Sequence, residues 1–362
     1  MTTLDELRVR MRGIDAEILH LVAARLETAR QVGALKRQAG VPLRDWEVER
    51  QALDNAARVA AEAGVPEALA RTLMQALIAG ARAEQERHHF AAYRGPTHEI
   101  AVLGGRGRMG RWLADFLANQ GHGVRVFDVV PGDSPDASLP NVLGGADVAF
   151  VATPLEVVPD SIRAVADAGF RGVVCDIASL KGHLPPAIEY ARKAGVRVAS
   201  VHPMFGPSAR TLSDKVICIC DCGDAEAIAR VRKLFCDTAA TLVDLSLEEH
   251  DRIMSYVLGL SHIINILFAR VLAVGERTFR LVNAVGSTTF HSQMVTTATV
   301  VDESPELYYA IQRLNPFTPS LYAALERELR GLTESVLAGN PEAFRERMLS
   351  GRQWMRAGDG TA

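Results

Sequence analysis

From Ala101 to Trp112 the sequence reads AVLGGRGRMGRW, three glycines in G-x-G-x-x-G spacing directly after an apolar run. A turn of this kind hands a buried strand over to a helix, and it normally stands near the start of a domain. Here one hundred residues precede it, and their hydrophobic period differs from that of the residues after the loop. Apolar residues recur at Leu4, Leu7, Met11, Ile14, Ile18 and Leu21, then at Val32 and Leu35. That spacing is one seam of a helix, and no strand signal precedes Phe90. Gly40 and Pro42 stop this first helix, and Asp45 is the expected cap of a second running to Gly64 and Pro66. A third runs from Pro66 to about His88.

After a linker, AAYRGPTH, the pattern becomes strand-like. EIAVLGG, GVRVFDV, DVAFVAT, GVVCDIAS, RVASVHP and KVICICD read as strands, with helical segments between them. Alternation of this kind implies a parallel sheet covered on both faces. From about Leu247 the chain reads as helical again. The expected architecture is an all-α three-helix domain over residues 1–92, an α/β Rossmann dinucleotide-binding domain over 97–246, and an all-α domain over 247–350.

The formal net charge of −3 excludes the basic footprint that nucleic-acid binding needs, so no nucleic-acid partner is expected. MTTLDELRVR carries acidic residues and no apolar signal region, and a cytoplasmic location is expected. The apolar stretch from Tyr256 to Gly275 is as long as a bilayer is thick, but His262, Asn265 and Arg270 interrupt it. It reads as a buried core helix, without membrane association. Cys218, Cys220 and Cys222 alternate along one strand face with no histidine at zinc-site spacing. They are read as core cysteines, and no metal is expected.

Gly105, Gly107 and Gly110, with Arg108 and Met109 between them, are placed where backbone N–H groups meet a pyrophosphate at a helix N-terminus. Asp128 ends the next strand at the spacing of a carboxylate that holds the ribose hydroxyls. FDVVPGD has no cation beside Asp128 to neutralise a 2′-phosphate, which favours NAD over NADP. Arg106 and Arg108 either face the phosphates or point to solvent. His202, in SVHPMFGPS, follows a strand and precedes two prolines; it is either a proton acceptor for alcohol oxidation or a loop histidine bonded to backbone.

GGRGRMG, DVAFVATP, VVCDIASLK and SVHPMFGP, followed by LEEHDRIMSYVLGLSH, resemble the prephenate dehydrogenase family over residues 98 to 345. The resemblance implies NAD-dependent oxidative decarboxylation of prephenate to 4-hydroxyphenylpyruvate, with a helical dimerisation domain at the end. It makes His202 the acceptor of the ring-hydroxyl proton and His262 a histidine facing substrate. Thr153 and Ser179 fall on motifs around nicotinamide and substrate. One position departs: Thr299 stands where the family commonly has an arginine for the substrate carboxylate.

In the first helix the seam reaches Arg25, and Lys36, eleven residues on, lies within about 20° of the same face. Two cations on one strip either fix an oligomer's register or bind anions. LRVRMRGIDAEILHLVAARLETARQVGALK and RDWEVER resemble the AroQ-type chorismate mutase family, an all-helical homodimer. Arg8, Arg25, Lys36, Asp45, Glu49 and Gln85 match its active-site positions. Arg8 is about 25 Å along the helix from Arg25, so a partner subunit must supply it to that site. By this resemblance Arg8 and Arg25 clamp carboxylates, Lys36 and Gln85 donate to the ether oxygen, and Asp45 and Glu49 serve the ring-hydroxyl side. Val48 and Ala81 replace the family's usual arginine and serine. The joint expectation is a homodimeric enzyme of tyrosine biosynthesis acting on chorismate and prephenate. Two alternatives stand beside it: the 4-amino-4-deoxy analogues as substrates, and a helical module that binds without turnover.

Overall fold

The computed structural model describes residues 3–39, 46–91, 96–129, 138–209, 211–236, 238–275 and 277–358. The chain divides into two compact units, with the boundary after Leu247. In the first, α1 (Leu4–Gln38) and α2 (Trp46–Ala63) both pack on α3 (Glu67–Ala91). Their shared core is thin and rich in small side chains, Ala29, Ala56, Ala60, Ile78 and Ala81, which lets the helices approach closely. Polar links add direction: Arg25 donates to the Leu77 carbonyl at 2.7 Å, Gln85 to the Ala29 carbonyl at 2.9 Å, and Arg30 pairs with Glu84 at 2.9 Å. The apolar seam of the first half of α1, from Leu4 through Met11 to Leu21, is exposed in the single chain. Asp45 lies outside the described residues.

The rest of this unit is a seven-stranded sheet in the order β2-β1-β3-β4-β5-β6-β7. Its strands are β1 (Glu99–Leu103), β2 (Gly123–Phe127), β3 (Val148–Val151), β4 (Val173–Asp176), β5 (Arg197–Pro203), β6 (Val216–Asp221) and β7 (Thr241–Ser246). The helices between them are α4 (Arg108–Asn119), α5 (Leu139–Leu143), α6 (Val158–Asp167), α7 (Pro185–Lys193) and α8 (Ala225–Lys233). Ile100, Val102, Phe150, Cys175 and Val201 alternate onto one sheet face, where Leu113, Phe116 and Leu117 of α4 and Val231 of α8 complete the core.

Two features differ from the sequence reading. The sheet is not wholly parallel, because β6 runs antiparallel to β5, pairing Val201 with Ile219 and His202 with Cys218. Among the described residues between Pro203 and Val216 there is no crossover helix, and the chain returns in the opposite sense. The seventh strand, TLVDLS, was not among the strand segments; its residues are exposed or half-buried at the sheet edge, so the apolar alternation is weak. Cys175, Cys218, Cys220 and Cys222 are buried, and burial raises the Cys222 thiol pKa well above its usual range.

One ion pair lies at the centre of this unit. Lys181 and Asp176 are fully buried, with Nζ 2.6 Å from Oδ1, and the same ammonium donates to the Val201 carbonyl at 2.8 Å. Burial works against the ammonium, but Asp176 and neighbouring groups outweigh it, and Lys181 titrates above its ordinary value.

The second unit is helical: α9 (Leu247–Met254), a π-helical stretch Ser255–Leu260, α10 (Ser261–Val274), α11 (Phe279–Ala284), α12 (Thr288–Val301), α13 (Pro305–Leu314), α14 (Thr318–Leu337) and α15 (Pro341–Gly358). Asn265 on α10 accepts from Gln293 and Thr297 of α12, each at 2.8 Å, which fixes how these two helices pack. The expected buried core helix is not buried in the single chain. Only His262 and Asn265 of α10 are enclosed, while Ile264, Leu267, Val271 and Val274 are exposed. A chain of this composition is apolar on two sides, and its own unit covers one of them.

Replacing Lys181 by Met removes the cation and leaves the Asp176 carboxylate buried. The expected loss is about 3–5 kcal/mol, read as a lowered denaturation midpoint.

Candidate active sites

The glycine loop closes onto backbone at several points. A Cβ on Gly110 would overlap the carbonyl oxygen of Gly104, and one on Gly105 would stand 2.6 Å from Val126 Cγ1 of β2. Gly104, at φ +73°, would bring a Cβ within 2.7 Å of the Ala152 carbonyl oxygen, beside Thr153. The loop is therefore pressed between β1, β2 and the end of β3, and α4 starts at Gly107 without a side-chain cap. Uncapped first-turn N–H groups and the helix dipole make an anion site there. Arg108 is exposed at that terminus, whereas the half-buried Met109 packs against the sheet core and has only its backbone to offer a ligand.

Asp128 accepts from the Arg106 N–H at 2.9 Å, so the carboxylate is fixed at the loop's edge. The fold thus brings the backbone of Arg106 alongside Asp128, a contact that the linear stretch FDVVPGD does not show. These residues fit a dinucleotide: glycines that leave room for a pyrophosphate, helical N–H donors, and a carboxylate for ribose hydroxyls.

His202 belongs to the end of β5 rather than to a loop, because its pairing with β6 extends the strand through Pro203. It is buried, on the face opposite the Val201 side chain. Ser200 and Asp176 share that face as register partners, and Ser200 Oγ and Asp176 Oδ2 are buried without a hydrogen-bond partner. Buried orphan polar atoms mark a place built for a polar ligand or water. Thr153 bonds Ser161 at 3.1 Å, and Ser179 is half-buried just past β4. Gly105, Thr153, Ser179 and His202 thus all lie at or just beyond the carboxyl ends of β1, β3, β4 and β5, where ligands gather in such sheets. The segment after His202 is tied to α4, with Trp112 Nε1 donating to the Ala209 carbonyl at 2.6 Å and Phe205 set edge-on to Trp112.

The motif VVCDIASLK contains Asp176 and Lys181, two residues of the site that sequence reasoning missed. The signal was a lysine five residues from an aspartate in an apolar strand context, where an isolated charge does not survive.

In the second unit His262 is stacked on Tyr308, ring centroids 4.0 Å apart, and its Nδ1 is buried without a partner. Burial lowers its pKa and holds the ring neutral. Thr299 is exposed and bonds only its own helix, at the Val295 carbonyl.

In the helical domain Arg25, Lys36 and Gln85 sit on α1 and α3, with Gln85 buried and Arg25 and Lys36 half-buried. Glu49 of α2 faces Arg82 of α3 at 3.3 Å. Val48 is exposed and Ala81 buried. Arg8, far along α1, is exposed and pairs with Asp5.

A Rossmann-type sheet with a glycine cradle, joined to a three-helix domain that gathers cations and an amide, defines a dinucleotide-dependent oxidoreductase fused to a helical isomerase. Family models agree along the chain: type II chorismate mutase matches residues 7–86, the prephenate dehydrogenase nucleotide-binding domain 128–244, and its dimerization domain 246–350. The T-protein of Enterobacter agglomerans is 25% identical over 305 residues, covering 84% of this chain and 80% of its own. The 4-amino-4-deoxychorismate mutase of Streptomyces pristinaespiralis is 39% identical over 75 residues, 21% of this chain and 58% of its own. The crystal structure of prephenate dehydrogenase from Aquifex aeolicus with hydroxyphenyl propionate and NAD+ aligns with a TM-score of 0.58 at 16% identity, covering 73% of this chain and 99% of that one.

The chain belongs to the prephenate dehydrogenase family and carries a type II chorismate mutase domain ahead of it. It is a bifunctional, NAD-dependent enzyme of tyrosine biosynthesis.

Gly110→Ala should abolish measurable NAD binding by fluorescence titration, since its methyl group has no space beside Gly104. Asp128→Ser should weaken NAD about tenfold and raise affinity for NADP, because the carboxylate that holds the ribose hydroxyls and repels a 2′-phosphate is gone. Paired titrations of the two cofactors read that exchange.

Proposed function

We propose that residues 1–92 rearrange chorismate to prephenate, and that residues 97–246 and 247–350 together oxidise and decarboxylate it to 4-hydroxyphenylpyruvate, in a cytoplasmic homodimer. The observation that carries this reading is the pairing, on one chain, of an α1–α3 strip bearing Arg25, Lys36 and Gln85 with a glycine cradle that leads to His202.

The first reaction is pericyclic and asks for no nucleophile, base or cofactor. It asks for a folded dicarboxylate and for stabilisation of charge on the breaking ether oxygen. Arg25 supplies a carboxylate clamp, and Lys36 and Gln85 supply donors to the oxygen. Gln85 is already held through the Ala29 carbonyl, so its amide plane is set before substrate arrives. Arg8 of a second copy completes the clamp, and the exposed seam of α1 is the surface such a copy would cover.

In the second reaction NAD, when bound, accepts the hydride. Asp128 orients the cofactor's ribose and the α4 terminus its phosphates. His202 takes the ring-hydroxyl proton, and Lys181 steadies it by holding the neighbouring Val201 carbonyl. Thr153 and Ser179 line the nicotinamide and substrate side, and His262, neutral, faces the substrate ring. Loss of CO2 then makes the ring aromatic and the step irreversible.

A second reading keeps both reactions and changes the substrates to the 4-amino-4-deoxy compounds. Val48 and Ala81, and the 39% identity to a 4-amino-4-deoxychorismate mutase, favour it. A binding module without turnover is disfavoured, since Lys36 and Gln85 place donors where only a breaking bond needs them.

Purified enzyme given chorismate and NAD should produce NADH, followed by absorbance, and prephenate should do so without the first step. No NADH from either substrate would refute the reading. His202→Asn should lower kcat for prephenate oxidation about 10²–10⁴-fold, while chorismate still disappears.

A further inference from the structure

Arg82 has no role in any motif read from the sequence, yet it is one of the more enclosed cations of the helical domain, its side chain 11% exposed. It lies one turn before Gln85 on α3 and reaches two carboxylates at once. Nη1 is 3.3 Å from Glu49 of α2, and Nη2 pairs with Asp214, which precedes β6 of the nucleotide-binding domain. Its Nε is buried without a hydrogen-bond partner. Asp214 is the one non-glycine residue with positive φ among those described, at +60°, so the backbone is bent where it meets the guanidinium. Meanwhile the adjacent position on α2, Val48, offers no charge and is exposed.

We propose that Arg82 is a specificity-determining residue of the mutase site, neutralising Glu49 so that the site accepts a 4-hydroxyl and rejects a 4-ammonium substituent. This rests on the mutase reading above, in which Glu49 serves the ring substituent. A carboxylate beside a guanidinium still accepts a hydrogen bond from a neutral hydroxyl. For an aliphatic amine, charged at neutral pH, the same carboxylate gives little net attraction, and Arg82 repels it. Asp214 holds the other edge of the guanidinium, so the nucleotide-binding domain takes part in setting the mutase's selectivity. The choice between hydroxy and amino substrates is thus made from α3, one turn from the donor at the ether oxygen.

The test compares kcat/KM for chorismate and 4-amino-4-deoxychorismate on the full chain and three variants, with thermal unfolding as the check on folding. The unaltered chain should prefer chorismate. Arg82→Gln should shift the ratio about tenfold toward the amino substrate, and Arg82→Lys should keep most of the preference. Asp214→Asn leaves the guanidinium in place and releases it toward Glu49, so discrimination should widen even if Arg82→Gln does not fold. Equal losses on both substrates in Arg82→Gln, or an unchanged ratio in Asp214→Asn, would overturn the proposal. No turnover of either substrate by the unaltered chain would instead overturn the mutase reading itself, and the proposal with it.

Discussion

Backbone packed on backbone governs the nucleotide-binding half of this molecule. Gly110 leaves no room for a methyl group against the Gly104 carbonyl, and Gly105 none against Val126, so α4 starts at van der Waals contact with the strands before it. That contact aims the helix's first-turn N–H groups over the carboxyl ends of β1 and β3. It also carries Trp112 to where it can hold Ala209, and so settles where the segment after His202 runs. A side chain at any of these glycines would move the helix, its dipole and the neighbouring loop together.

Much of this was legible in the sequence because each signal was local. The helical seam of α1, the change of period near Pro96, and the strand-turn-helix with its glycines all reside in windows of a dozen residues. The features hidden from a linear reading depend on distant parts of the chain meeting. Arg106 beside Asp128, Lys181 on Asp176 and Val201, and Arg82 between Glu49 and Asp214 are each made by the fold. The antiparallel turn of β6 was hidden for another reason. A buried strand shows the same apolar run in either direction, so direction is decided by the connection and not by the strand.

Burial of the long apolar helix shows the limit of composition as a guide. His262 and Asn265 do mark the side of α10 that is enclosed within its own unit, one by stacking on Tyr308 and the other by binding α12. Ile264, Leu267, Val271 and Val274 on the other side are not covered by that unit. Apolar content reports how much surface seeks cover, while the polar residues report which side has found it.

The π-helical stretch between α9 and α10 gives this helix a property its composition conceals. A π turn holds one residue more than an α turn of the same hydrogen-bonded ladder, so everything after Leu260 is rotated relative to Asp251 by about 100°. His262 and Asn265 owe their inward orientation to that surplus residue. The helix therefore depends on the number of residues between Ser255 and Leu260 as well as on the buried side of that stretch, Ser255 and Gly259. A one-residue deletion there would straighten the ladder, carry the histidine and the asparagine out toward solvent, and turn Ile263 and Ile266 inward in their place.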